Sequence, residues 1–155
     1  MRVYVDSSAL LKRSVQEAES DAVEALLGCH IDDGDPLVSS SLAWIEVSRA
    51  LRSRLDGEDR NVISEAIEDA LSGVAERPIA ADVVSLARRI GPNVWRSLDA
   101  IHLATAILVD ADVVITYDER LAAAARNNDV TVVAPSPNEQ DRLGTDAVGP
   151  REEEG

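Results

Sequence analysis

The strongest constraint on the fold is an alternation. Short aliphatic runs that close on a polar residue, VYVD (3–6), LVSS (37–40) and VVITYD (113–118), each run directly into a stretch with helical periodicity. Strands that alternate with helices pair in parallel, and a parallel sheet needs cover on both faces. The pattern predicts strands at 1–6, 36–40, 112–118 and 130–135, with a brief extended piece at 77–80. Helices are predicted to open at 7 and to span 20–29, 41–55, 58–74, 82–90, 97–106 and 119–128, with Ser97 as the N-cap of the sixth. The 155-residue chain fits one domain at 1–135. Residues 136–155 lack periodicity or an apolar face and read as a disordered acidic tail.

Composition narrows the chemistry. With no Phe the core must be aliphatic, and a net charge of −14 excludes gripping nucleic acid through a broad basic surface. Nucleic acid would need a local positive focus, either bound metal or an Arg cluster. A single cysteine excludes an internal disulfide, and Cys29, in an apolar helical run, reads as a small buried hydrophobe. The sequence has no leader-like segment and no apolar run of membrane length, so the expectation is a cytoplasmic protein.

Four acids stand out. Asp6 and Asp118 close predicted strands and precede helices, on the sheet edge where ligands of open parallel sheets collect. Each also suits an N-cap. Glu46 falls on the small-residue apolar side of its helix, between Leu42 and Ala50, where its ordinary alternative is an ion pair to Arg49. Asp99 opens SLDAIHLATA (97–106), a helix apolar almost all round. The helix dipole accounts for an anion there, but burial of the helix implies that its N-terminus reaches a polar cleft.

Four carboxylates converging on one edge repel by several kcal/mol unless compensated. A hard dication compensates them, and an oxygen-only donor set points to Mg²⁺, with Mn²⁺ as a possible substitute, rather than zinc. His30 and His102 are badly spaced for a zinc site, and His102 reads as a helix residue with a satisfied hydrogen bond.

VYVDSSALLK (3–12), LAWIEVSRAL (42–51), SLDAIHLATA (97–106) and VVITYDERLAAAA (113–125) together resemble the PIN-domain ribonucleases, and among them the VapC toxins of toxin–antitoxin pairs. The resemblance spans about 1–135. It implies a Rossmann-like three-layer α/β/α sandwich around a central parallel sheet. It also implies an acidic site of Asp6, Glu46, Asp99 and Asp118, with Asp6 and Asp99 as the principal Mg²⁺ ligands. Ser8, and with it Thr116, matches a hydroxyl residue that helps hold a water. The implied activity is metal-dependent hydrolysis of RNA phosphodiester bonds, with a VapB-like antitoxin and a homodimer as partners. Lys12, Arg13, Arg96 and Arg120 lie near the acid-bearing ends and are candidates for flanking phosphates. Scarce aromatics argue against a base-stacking platform.

Two other acid-edged folds fit poorly. A phosphoacceptor receiver needs a late lysine, yet of 15 basic residues only Lys12 is a lysine. A haloacid-dehalogenase-type phosphatase needs a second Asp where Ser8 stands. The remaining alternative is a non-catalytic PIN-like protein-interaction module, whose signature is loss of one or more of the four acids. All four are present.

Overall fold

The computed structural model describes residues 1–91 and 96–137. Five parallel strands form one sheet: β1 (Val3–Val5), β2 (Leu37–Ser40), β3 (Val74–Arg77), β4 (Val113–Ile115) and β5 (Thr131–Val133), in the order β3-β2-β1-β4-β5. The chain winds outward from β1 through β2 to β3, then returns to β1's other side for β4 and β5. The order therefore reverses between β1 and β4, where Val3, Tyr4 and Val5 face Val113, Val114 and Ile115 in register.

Seven helices are described: α1 (Ser7–Leu11), α2 (Ser20–Asp32), α3 (Ser41–Arg54), α4 (Arg60–Leu71), α5 (Ala81–Ala87), α6 (Ser97–Leu108) and α7 (Glu119–Arg126). Side chains alternate across a strand, and the sheet builds a separate core on each face. Val3, Val5, Val113 and Ile115 pack with Leu10, Leu27, Val47 and Leu51 from α1, α2 and α3. Tyr4 and Val114 point the other way, against Leu103 and Ala106 of α6 and Leu121, Ala124 and Ala125 of α7. The three-layer expectation holds, as does the aliphatic core: Tyr4 is the single aromatic among the largest fully buried side chains.

Four local expectations are corrected. The helix predicted over 58–74 stops at Leu71, because Gly73 turns the chain at φ +74°. Val74–Arg77 then pairs with β2 from Leu37 to Ser40, so the third strand precedes the extended piece expected at 77–80. Ser97 is the first helical residue of α6 rather than its cap; Arg96 takes the cap position without a side-chain bond. Asp99, at the third helical position, sets its charge against the positive end of the helix dipole instead. Cys29 lies exposed on α2 rather than buried. Apart from residues 136 and 137, the predicted acidic tail lies outside the described residues. Among those described, no helix is long and apolar enough to cross a membrane.

Candidate active site

The acids gather where the strand order reverses. Asp6 follows β1 directly, and Thr116 and Asp118 follow β4, so all three leave the sheet at its carboxyl edge, beside the crevice that such reversals create. α3 starts at Ser41 with no loop after β2, its first turn capped by Ser40, which accepts the Leu42 N–H at 3.2 Å. Glu46 therefore sits on the second turn, close above the same edge.

Asp6 is buried, and its expected role as the N-cap of α1 is realised. Its Oδ2 accepts from the Ser8 N–H at 3.2 Å, the Ser8 hydroxyl at 2.6 Å and the Thr116 hydroxyl at 2.9 Å, which caps α1 and saturates that oxygen. Oδ1 is left to face His102 Nε2 at 3.5 Å. Ser8 Oγ also accepts the Tyr117 N–H at 2.9 Å, and Thr116 Oγ1 accepts the Asp118 N–H at 3.0 Å. Ser8 and Thr116, expected to help hold a water, instead have both hydroxyls committed to fixing the Asp6 carboxylate and the start of α7.

Glu46 does not pair with Arg49, which is exposed. Its Oε2 lies 2.8 Å from His102 Nε2, while His102 Nδ1 lies 2.6 Å from the Tyr4 hydroxyl. Burial opposes ionisation of both members, but their mutual hydrogen bond and charge prevail. Glu46 is held below the ordinary carboxylate range and His102 above the ordinary imidazole range, the latter with help from Asp6. Tyr4, fully buried, has its hydroxyl pushed well up by burial and by the Asp6 charge. Asp6, Glu46 and His102 offer donor atoms that all lie within 4.8 Å of one another, an arrangement able to hold a metal ion.

Asp99 enters from α6. It is only 7% exposed, and among the described residues its buried Oδ2 has no hydrogen-bond partner. Burial raises its pKa, the Asp118 charge raises it further, and the Arg96 N–H, Arg120 and Arg96 act in the opposite sense. Asp118 is exposed at the rim. Its Oδ1 caps α7 by accepting the Arg120 and Leu121 N–H groups at 2.8 and 3.2 Å, and its charge acts on both Glu46 and Asp99. All four sequence-predicted acids belong to one electrostatic cluster, three deep and one at its mouth.

The basic candidates divide. Lys12, whose side chain is 10% exposed, binds Glu17 and Glu19 at 2.5 and 2.8 Å and lies 4.5 Å from the centre of the Tyr117 ring. Arg13 binds Glu24 and the carbonyls of Ala70 and Ser72. Both serve the fold rather than a phosphate. Arg96 and Arg120 instead line an open recess with Asp118 and Glu119.

Sequence reasoning missed Tyr4, Ser7 and the central place of His102. Ser7 reaches Asp6 Oδ1 at 3.5 Å and hydrogen-bonds Glu46. Spacing held a clue: His102 follows Asp99 by three on one helix face, and Tyr4 precedes Asp6 by two on one strand face.

The fold is that of a known class: the PIN domain model matches residues 3–127, and the chain belongs to the PIN-domain family. Within it the chain stands with the VapC ribonucleases. Ribonuclease VapC46 of Mycobacterium tuberculosis is 40% identical over 136 residues, covering 86% of this chain and 98% of that protein. Ribonuclease VapC47 of the same organism is 33% identical over 138 residues, covering 87% and 96%. The crystal structure of VapBC2 from Rickettsia felis, bound to a DNA fragment from its promoter, matches with a TM-score of 0.65. It covers 86% of this chain and 98% of that one and, at 12% identity, bears on the fold alone.

Proposed function

We propose that this chain is a metal-dependent ribonuclease, the toxin of a VapBC-type pair, which hydrolyses RNA phosphodiester bonds through Asp6, Glu46, Asp99 and Asp118 and thereby inhibits translation or growth. The observation that carries the reading is the orphaned Oδ2 of Asp99. A buried carboxylate oxygen without a partner is costly, and here the charge of Asp118 adds to that cost. A dication removes both costs together, so the residues fit the ion.

Asp6, with Oδ2 saturated, offers Oδ1 as a single-oxygen ligand, and Asp99 offers Oδ2. Glu46 and Asp118 flank them, the first held in place by His102 and the second open to solvent, where it can orient an attacking water. Bound Mg²⁺, the ion the family resemblance implies, supplies a water of lowered pKa and charge for the leaving 3′ oxygen. Arg96 and Arg120 hold flanking phosphates at the recess beside Asp118, supplying local positive charge to an otherwise acidic protein. The VapC kinship further supports a VapB-like antitoxin, a homodimer and a cytoplasmic setting.

The test is cleavage of structured RNA by protein purified free of host nuclease, with Mg²⁺, with chelator, and with Asp6→Asn. Cleavage is expected only in the wild type with metal. Wild-type rates in Asp6→Asn would exclude the assigned site.

A further inference from the structure

The donor set at the acidic edge is not made of oxygen alone. α6 carries Asp99 and His102 three residues apart, so both side chains leave the same face of the helix. Tyr4 lies in β1, and Asp6, two residues on, follows the strand in the same extended conformation, so the two side chains leave one face. Packing α6 over β1 sets the His102 ring between the Tyr4 hydroxyl and the carboxylates. Its Nδ1 is 2.6 Å from Tyr4 Oη, and its Nε2 is 2.8 Å from Glu46 Oε2 and 3.5 Å from Asp6 Oδ1.

That is how an imidazole is held when it serves as a metal ligand. A ligating histidine binds through one ring nitrogen while the other is tied to a second group that fixes the ring. Tyr4 does the tying: it is fully buried, with its hydroxyl 2.6 Å from Nδ1. Donors about 2.0–2.2 Å from an ion lie about 3.0–3.5 Å from one another. Asp6 Oδ1, 3.5 Å from Nε2, already stands at that spacing, and Glu46 Oε2, 2.8 Å from Nε2 in their hydrogen bond, has only to draw back slightly as an ion replaces the shared proton. Independently, Asp99 brings a buried, unpartnered oxygen to the same cluster.

We propose that His102 Nε2 is a nitrogen ligand of the site, alongside Asp6 and Glu46, and that the site therefore selects a borderline first-row dication such as Mn²⁺ or Co²⁺ over Mg²⁺. Mg²⁺ takes oxygen donors, whereas imidazole ranks the later first-row ions above it. This inference rests on the metal-site reading given under Proposed function and extends it to the identity of the ion.

The chain has two histidines, which makes the test clean. His30 lies at the far end of α2, bound to Asp35, which also takes the N-terminal amine. Metal-stripped, untagged full-length His30→Gln protein, loaded with Mn²⁺ and measured by electron spin-echo modulation, should show coupling to an imidazole nitrogen. His102→Gln should lose that coupling, and its Mn²⁺ affinity should fall on the order of 100-fold, with its preference for Mn²⁺ over Mg²⁺ reduced about tenfold. Tyr4→Phe, which removes only the tying hydroxyl, should keep the nitrogen coupling and weaken Mn²⁺ binding about tenfold. If His102→Gln does not fold, the spectrum of His30→Gln decides alone. Mn²⁺ bound without nitrogen coupling in that protein would overturn the inference and leave the carboxylate site standing. Failure to bind Mn²⁺ or Mg²⁺ at all would overturn the site itself.

Discussion

Asp99→Asn should reverse its effect on stability when metal is added. In the metal-free protein the Asp99 carboxylate is 7% exposed, with Oδ2 lacking any partner and Asp118's charge nearby. An unsatisfied buried acceptor costs about 1–3 kcal/mol, and more when charged. The asparagine amide keeps the shape and sheds the charge, but its own polar atoms still need partners, so the low end applies, about 1 kcal/mol in the variant's favour. For a chain of this length that is about 4 °C in Tm. Metal at about 100 times its Kd then stabilises the wild type by about 2.7 kcal/mol, or about 10 °C. The variant, short of a ligand, gains far less. Calorimetric melts of both proteins at one ionic strength and near-neutral pH, with and without Mg²⁺ or Mn²⁺, measure the crossing. Equal metal-induced shifts would make Asp99 a helix-end charge and nothing more. A metal-free variant melting below the metal-free wild type would show that Oδ2 has a stabilising partner after all.

Ser8→Ala removes a donor to Asp6 and the hydroxyl that accepts the Tyr117 N–H; it should cost about 1–3 kcal/mol in denaturant melts and weaken metal binding about 10- to 100-fold by calorimetric titration. Arg120→Ala should weaken RNA binding evenly across sequences and lower the slope of log K against log salt by about 1, whereas Lys12→Met should leave that slope unchanged while lowering Tm, because Lys12 is bound to Glu17 and Glu19. Metal-free stability should depend on pH with three contributions. Glu46 is held low, so its share is present above pH 4.5 and lost as pH falls through its folded value; His102 is held high, so its share is full below pH 6.5 and lost as pH rises through its folded value; Asp99 is raised, so it subtracts stability as pH climbs from 3.8 through its folded value. Glu46→Gln should diminish the loss above pH 6.5 in denaturation curves; an unchanged alkaline limb would refute the His102–Glu46 pairing.

Local periodicity decided a good deal. The step from aliphatic strand to helix, repeated along the chain, is enough for a parallel sheet covered on both faces, and it puts Asp6 and Asp118 at the strand ends that become the ligand edge. The buried character of 97–108 likewise exposes Asp99 as an anomaly, because a charge on an all-apolar helix needs a reason. Glu46 was legible for the same cause, an acid on the small-residue side of its helix. These are properties of a single stretch of backbone, and a short window of sequence contains them.

What only the tertiary structure decided are relations between windows. His102 meets Tyr4 across 98 positions and Glu46 across 56, so its helix, beyond setting it on the Asp99 face, does not say which distant groups it meets. Lys12 and Arg13 look like free cations in sequence and are bound to acids or carbonyls in the fold. The short strand Val74–Arg77 exists because β2 offers it an edge, its own residues being half-exposed and weakly patterned. A side chain's type and its period are set locally, but its partner is set by which distant surfaces pack together, and the chemistry of a titratable group follows its partner.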